Sequence, residues 1–339
     1  MGSFHPASCP DRLVLAVRRA QRRGGSGRLA TLRPVNYAEL RATYFVEAPT
    51  GTPIPAVVAA ASPARRLRDA FEPLAMHQVW SPTVNQALGK ATPGMDFFAG
   101  YVWGRAAVLG EVEPAVAASA FAVFEPGVIA AMVQAGRAAI SRAEILALLD
   151  RETIASLSPI LEPTGAELTE VAAVLRQAVE AADGTGRPLF CGVRALGWPE
   201  EAIGQMWRAV HALREHRGDS HTAAFVAAGF DPVRMNILTE LWIGYGLGDY
   251  SASRAWSDTD TGTALQRLRA DGLLDGDTLT GAGRAVRDDI EAATDRAQQS
   301  VLDGIGDRLD SVVGALAGWS QRCIAAGTFP PDFRKRAGG

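Results

Sequence analysis

The sequence predicts an all-α protein: a multi-helical body followed by a C-terminal winged helix-turn-helix with a small β-hairpin wing. Three observations predict this fold. From about residue 62 to 229, Ala-rich segments carry apolar residues every three to four positions and are separated by Pro and Gly, which is typical of amphipathic helices. Alternating β-branched runs are nearly absent there. Beyond residue 230, the order helix, helix, helix, hairpin, helix is that of a winged helix.

Length and composition indicate a water-soluble protein of up to two domains. The 339 residues are 47% hydrophobic, enough for a sizeable core. No apolar run approaches the roughly 18 to 20 residues of a membrane span, so we expect no membrane partner. Cys9, Cys191 and Cys323 are far apart and lack CxxC spacing, which favours neither a disulfide framework nor a zinc site and fits a cytoplasmic location.

Residues 1–60 form a basic tail without the pattern of a folded element. They carry eight Arg and three acidic residues, a net charge of +5, so the remaining residues carry −8 of the total of −3. The tail is a nucleic-acid-binding arm, a disordered appendage, or sequence upstream of a misassigned start codon. The acidic body is repelled by a phosphate backbone.

The helical body is predicted over residues 61–230. It begins at Ser62 and Pro63, an N-cap residue followed by a first-turn proline. The winged helix follows over 231–300, and residues 301–339 hold a further helix and tail.

The winged helix is indicated by a succession of local signals. A helix capped by Ser257 or Asp258 ends near "LRADGLL", and the Asp275 and Gly276 turn joins short strands at 273–275 and 278–279. Another helix then opens at "TGAGRAV".

The stretch "WRAVHALREHRGDSHTAAF" at 207–225 concentrates the ionisable residues of the body, with three of the five His. As one continuous helix it would place Trp207, Arg214, Gly218, His221 and Phe225 on one stripe. Alternatively, Gly218 ends a first helix and a second starts near His221. Both arrangements put charged groups against aromatic residues, where a buried Arg needs a carboxylate or an anionic ligand.

This stretch is the candidate small-molecule site. His221 or His211 would transfer a proton while Arg214 clamps an anionic group. Further ligand-binding candidates lie in the same stretch and in two neighbouring helices: Trp207, Arg217, Asp219, Phe225, Arg105, Tyr101 and His77. The alternatives are a satisfied structural network and a metal site shared by His77, His211 and Glu215. No cofactor is predicted, although the sequence leaves metal or haem open.

DNA binding is the alternative function of the winged helix. The side chains that would contact DNA are Arg254, Thr263, Arg267 and Arg269. The same helix begins with Asp258 and Asp260, and the wing "LDGDTL" carries two acids and no base. The acidic start disfavours a DNA partner.

Four segments carry a resemblance to a known family: "SPARRL…EP" at 62–73, "FFAGYVWGRAAVLG" at 97–110, "LREHRGDSHTAAFVAAG" at 213–229 and "LRADGLLDGDTLTGAGRAVRDDIEAATD" at 268–295. The chain resembles an actinobacterial family described as helix-turn-helix proteins, with members near natural-product gene clusters. The resemblance implies transcriptional regulation through the winged helix. Members commonly begin near the equivalent of Ser62, so residues 1–60 depart from the pattern.

Two functions are therefore expected. The first is a small-molecule-binding protein, with or without His/Arg acid-base catalysis in specialised metabolism, whose winged helix does not read DNA. The second is a ligand-responsive winged-helix transcription regulator that binds DNA as a homodimer. In a third, purely structural interpretation, the polar cluster stabilises the fold and binds nothing.

Overall fold

The computed structural model describes residues 37–161 and 165–338, and these form an all-α assembly with one short hairpin. The predicted fold class is confirmed. Before residue 100 the helices are α1 (Tyr37–Tyr44), α2 (Ala56–Ala59), α3 (Pro63–Ala75), α4 (His77–Trp80), α5 (Pro82–Ala91) and α6 (Phe97–Ala106, extended by a 3-10 turn, Ala107–Leu109).

The rest of the body consists of α7 (Pro114–Phe121), α8 (Pro126–Ala139), α9 (Arg142–Leu161), α10 (Gly165–Ala181), α11 (Pro188–Arg194) and the 26-residue α12 (Ala202–Ala227). Helix α12 runs through Gly218 without a break, which decides between the two arrangements that the sequence left open. The apolar core around its first half includes Trp207, Leu213 and Phe190.

The winged helix follows as α13 (Pro232–Trp242), a 3-10 turn (Ser251–Arg254), α14 (Asp258–Ala270), β1 (Leu274–Asp275), β2 (Thr278–Leu279) and α15 (Gly281–Arg296). The strands pair antiparallel, with Leu274 opposite Leu279. Ser257 caps α14 by accepting from the backbone N–H of Asp260.

The winged helix and the body are packed into one another. Phe225, at the end of α12, lies in the apolar core of the winged helix beside Leu238, Leu268 and Ile290. A body helix therefore supplies part of the core on which the winged helix folds.

The C-terminal part returns to the body through α16 (Gln299–Ile305), a 3-10 turn (Gly306–Arg308), α17 (Leu309–Ala325) and α18 (Phe333–Gly338). Trp319 and Cys323 of α17 lie in the main body core. This part of 301–339 is thus integral to the body.

The second half of the tail predicted over residues 1–60 contains helical structure that the sequence analysis did not predict. Helix α1 lies within residues 1–60, and its Leu40 is buried with Trp80 and Phe329. Sequence composition missed this helix because eight residues carry too little periodicity. The basic stretch of residues 1–36 lies outside the described residues.

Candidate functional site

A cavity of about 150 Å³ lies between the body and the winged helix. Body helices α3, α6, α7 and α12 form one side, and α13, α15 and the turn before α14 form the other. We call it the arginine cavity, because the side chains that line it include Arg65, Arg68, Arg105, Arg214, Arg217, Arg254 and Arg287.

Three of these arginines converge on the single carboxylate of Glu291. Arg65 donates to Oε1 at 2.9 Å, Arg287 donates to Oε2 at 3.0 Å, and Arg217 donates to Oε1 as well. Desolvation alone would raise the pKa of Glu291, but the three guanidinium groups, led by Arg287, hold it well below its ordinary value. The Glu291 carboxylate is therefore ionised and fully engaged.

A second carboxylate group lies on the body side of the cavity. Arg105 donates to Glu215 through Nε at 2.9 Å and through Nη2 at 2.7 Å. Arg214 donates to Glu72 at 3.2 Å and lies 3.4 Å from Glu215. Arg68 completes the group, 3.6 Å from Glu72. These pairs join α3, α6 and α12.

The charges of the cavity do not balance. Two carboxylates, Glu72 and Glu291, line the cavity together with the seven arginines. Three further carboxylates pair with these arginines from outside the lining: Asp69, Glu215 and Asp295. Among residues 37–161 and 165–338, seven positive against five negative charges leave an excess of two. An enclosed excess of positive charge attracts an anion.

Arg254 is the arginine on which this excess is most evident. Within the described residues its hydrogen bonds go only to hydroxyls, those of Ser253 and Tyr250, and its Nε is buried without a partner. Its guanidinium lies 4.7 Å from the ring centroid of Phe124 and 4.4 Å from that of Tyr250. Among the described residues, the Arg254 guanidinium thus contacts aromatic rings and hydroxyls, whereas the other arginines of the cavity pair with carboxylates.

Glu240 positions the segment that carries Arg254. Its carboxylate is fully buried and accepts from the backbone N–H groups of Gly248, Tyr250 and Ser251, and from the Ser251 hydroxyl. The loop between α13 and α14 is thereby fixed over the cavity.

Part of the cavity lining is apolar and includes Phe121, Val123, Phe124 and Met235. The backbone is held in the left-handed region at Ala122, with φ of 48°. A second non-glycine residue in this region, Ala255, follows Arg254 directly, with φ of 65°. Such backbone strain persists only where surrounding contacts enforce it.

Hydrogen bonds across the cavity supply these contacts. The carbonyl oxygen of Val123 accepts from Asn236 and from the Trp256 indole, both at 2.9 Å. The backbone N–H of Glu125 donates to the carbonyl of Arg254 at 2.9 Å. The body loop at 122–125 is thus fastened to the winged helix at the rim of the cavity.

His221 lines the cavity as a neutral acceptor. The Thr294 hydroxyl donates to the Ile290 carbonyl, so its oxygen accepts the proton of His221 Nδ1, 3.2 Å away. The lone pair on Nε2 then has no partner among the described residues. Desolvation, followed by repulsion from Arg287, lowers the pKa of His221 to about 3.

The structure places several predicted site residues at the arginine cavity: Tyr101, Arg105, Arg214, Arg217 and His221. His211 lies instead in an adjoining cavity of about 30 Å³, lined also by Gln78, Arg214 and Glu215. Desolvation lowers the pKa of His211 to about 3 as well.

Four predicted ligand-binding residues lie away from both cavities. Trp207 and Phe225 are buried in two different apolar cores. On α12 they lie before and after residues 214–222, the part of the helix that lines the cavity. Asp219 accepts from the backbone N–H of Phe190 at 3.0 Å, and His77 bonds to Ser156 at 2.9 Å. These two polar groups satisfy structural hydrogen bonds inside the body.

Most of the charged lining of the cavity was not foreseen from the sequence. The missed residues are Arg65, Arg68, Glu72, Arg287 and Glu291, and Arg254 was assigned to DNA binding. One signal was present: "ARRLRDAFE" places Arg65, Arg68 and Glu72 on one face of α3 at helical spacing. Arg287 and Glu291 share the same i, i+4 spacing on α15.

The surface of the winged helix differs from that of a typical DNA reader. Thr263, Arg267 and Arg269 are exposed on α14, but Arg269 pairs with Asp277 of the wing at 2.9 Å. Arg254, expected among the DNA contacts, turns inward to the cavity because Tyr250 and Phe124 enclose it. Asp258 and Asp260 are also exposed on the first turn of α14.

In residues 37–161 and 165–338, no cluster of three or more His, Cys, Asp or Glu side chains has the arrangement of a metal site. Over the same residues, no helix has the length and apolarity required to cross a membrane.

Fold and cavity together define a winged-helix protein in which the helix-turn-helix module forms one side of an internal, arginine-lined cavity. The chain belongs to a helix-turn-helix family, whose model matches residues 64–330. The resemblance found in the sequence is confirmed at this level. No curated protein matches the chain significantly, and neither does any solved structure.

Proposed function

We propose that this protein binds a small organic anion in the arginine cavity. The observation that carries the proposal is Arg254, a half-buried cation that lines the cavity, whose Nε is buried and which pairs with no carboxylate among the described residues. A ligand carboxylate or phosphate would supply the missing countercharge through charge-assisted hydrogen bonds.

Size and surface restrict the ligand further. A volume of about 150 Å³ far exceeds the roughly 10–15 Å³ that one water needs, so it suits a compact organic molecule. The wall of Phe121, Phe124 and Met235 favours an apolar or aromatic body. The lone pair of His221 Nε2 favours a ligand hydroxyl or N–H that donates to it.

The electrostatics favour binding over acid-base catalysis. A general base works best when its pKa is near the operating pH, and burial lowers the pKa of both His221 and His211 to about 3. Arg214, the expected electrostatic clamp, is already paired with Glu72 and Glu215.

The test is a calorimetric titration with 4-hydroxybenzoate, which combines an anion, an aromatic ring and a hydroxyl donor, against the neutral 4-hydroxybenzamide. We expect the acid to bind and the amide to bind at least tenfold more weakly. The Arg254→Gln variant should lose binding of the acid, whereas Arg267→Gln, on the outer face of the same winged helix, should retain it. Equal binding of acid and amide, or an unaffected Arg254→Gln variant, would contradict the proposal.

A second candidate function is a ligand-responsive transcription regulator that acts as a dimer. Membership of a helix-turn-helix family supports it, and so does the cavity, since a ligand there would contact body and winged helix together. Titration of duplex DNA at rising salt tests this function. A regulator should show binding that weakens in Arg267→Gln and changes when 4-hydroxybenzoate is present. Binding absent at low salt would exclude it.

A further inference from the structure

Residues 333–338, which form α18 and are here called the C-terminal strap, lie against the wall of the arginine cavity. Ala337 and Gly338 line the cavity, and Ala337 is buried. The strap follows α17 in the chain and packs against α3 and against the end of α13, where Ala337 shares an apolar cluster with Trp242 and Ile243.

Three donors of the cavity are occupied by backbone carbonyls of the strap. Arg65 Nη2 donates to the Ala337 carbonyl at 2.6 Å, and Arg68 donates to that of Arg336. The Tyr250 hydroxyl donates to the carbonyl of Gly338 at 2.5 Å. The acceptors are neutral, although two of the donors are cations.

Side chains hold the strap in place. Lys335 Nζ lies 4.0 Å from the ring centroid of Tyr44, 5.3 Å from that of Tyr250 and 5.5 Å from that of Trp80. Arg334 pairs with Asp332 at 2.8 Å, just before the strap. These contacts are cation–π and ion-pair interactions around a helix of six residues, which has little stability of its own.

The strap lies outside the family match, which ends at residue 330. Helix α1, which supplies Tyr44 to the ring cluster around Lys335, also lies outside it, because the match begins at residue 64. All residues that line the arginine cavity lie in the matched region except Ala337 and Gly338 of the strap.

We propose that the C-terminal strap is autoinhibitory: its carbonyls occupy Arg65, Arg68 and Tyr250 at the wall of the arginine cavity, and the anionic ligand displaces the strap from these donors. The inference rests on the proposed function. An anion exchanges neutral carbonyl acceptors for charged ones, so the guanidinium groups of Arg65 and Arg68 gain a countercharge and two-point N–H···O bonds. Ligand affinity is therefore reduced by the fraction of molecules in which the strap is docked.

The experiment compares the full chain with a variant lacking residues 333–339. We expect the shortened chain to bind 4-hydroxybenzoate about tenfold more tightly, as when a docked state ten times more populated than the open one is removed. In the full chain, saturating 4-hydroxybenzoate should accelerate trypsin cleavage after Arg334, Lys335 and Arg336, which undocking exposes together. The acceleration should be absent from Arg254→Gln.

A point variant keeps the test valid if the shortened chain fails to fold. Lys335→Ser removes the ring contacts and retains the backbone, so it should tighten binding, whereas Lys335→Arg retains the cation and should not. Equal affinity of all these chains for 4-hydroxybenzoate, with unchanged trypsin cleavage, would overturn the autoinhibitory role of the strap and leave the proposed function intact. Absence of binding to every chain, the shortened one included, would overturn both.

Discussion

Arg105 and Glu215 form a two-point ion pair in which Nε lies 2.9 Å from Oε1 and Nη2 lies 2.7 Å from Oε2. The pair joins α6 to the centre of α12, next to the arginine cavity. Desolvation would raise the pKa of Glu215, but Arg105 and then Arg214 lower it to about 2. This one carboxylate thus pairs with two largely buried guanidinium groups.

Glu215→Gln should destabilise the protein strongly. The substitution leaves Arg105 and part of Arg214 without a countercharge inside the body, and breaking a buried pair in this way costs about 3–5 kcal/mol of unfolding free energy. Urea denaturation measures the loss. The matched control is Glu180→Gln, in a half-exposed pair with Arg176, which should cost less than about 1 kcal/mol. Similar losses in both variants would contradict this account.

Gly283→Ala should disrupt the wing. A Cβ at Gly283 would lie 2.1 Å from the carbonyl oxygen of Leu273, a backbone atom that cannot move without the hairpin. Gly281, in the same first turn of α15, has nothing within 4 Å of an added Cβ. We expect Gly283→Ala to lower the melting temperature and Gly281→Ala to leave it unchanged or raise it slightly. Thermal unfolding of the two variants decides, and equal behaviour would refute the predicted close packing.

Four histidines with lowered pKa values should make the protein sensitive to acid. Desolvation lowers the pKa of His77, His211 and His221 to about 3 and, with smaller opposing effects, that of His216 to about 4. The unfolded chain takes up these protons near pH 6.5, before the folded one does, so stability is present above pH 6.5 and falls as the pH drops towards 4. Each group contributes up to about 1.4 kcal/mol per pH unit.

Denaturation at a series of pH values measures this slope, and nuclear magnetic resonance of the imidazole protons identifies its origin. The four ring signals should not titrate between pH 8 and 5. Ordinary titration near pH 6.5 for any of them would show that the group is solvated and contributes nothing to the acid sensitivity.

Asp219→Asn should stabilise the protein increasingly as the pH rises from about 4 to 7. Desolvation raises the pKa of Asp219 to about 7, despite the hydrogen bond from Phe190. The folded carboxyl therefore binds its proton more tightly than the unfolded one, and its contribution is lost as pH rises from about 3.8 to 7. Asn keeps an acceptor for the Phe190 N–H without ionising. The gain over wild type should be absent near pH 4, then grow by about 1.4 kcal/mol per pH unit up to 7. Parallel stability curves for the two proteins would contradict the raised pKa.

Local signals in the sequence predicted the helices and the wing correctly, because capping, helical periodicity and the Asp275 and Gly276 turn act over only a few residues. The same reasoning identified His221, Arg214 and Arg217 as residues of interest, since charge is unusual beside Trp207 and Phe225 on one helix. It failed for α1, which is stabilised by packing on Trp80 and Phe329 rather than by its own pattern.

The sequence by itself determined that this chain is helical, that it carries a winged helix, and that α12 concentrates its ionisable residues. Tertiary structure alone decided which of those residues meet. Arg65, Arg254 and Arg287 come from three distant segments, and only the packing of the winged helix onto α3 and α12 brings their charges to one cavity. Electrostatic compensation depends on distances across the fold, which spacing along a chain does not encode.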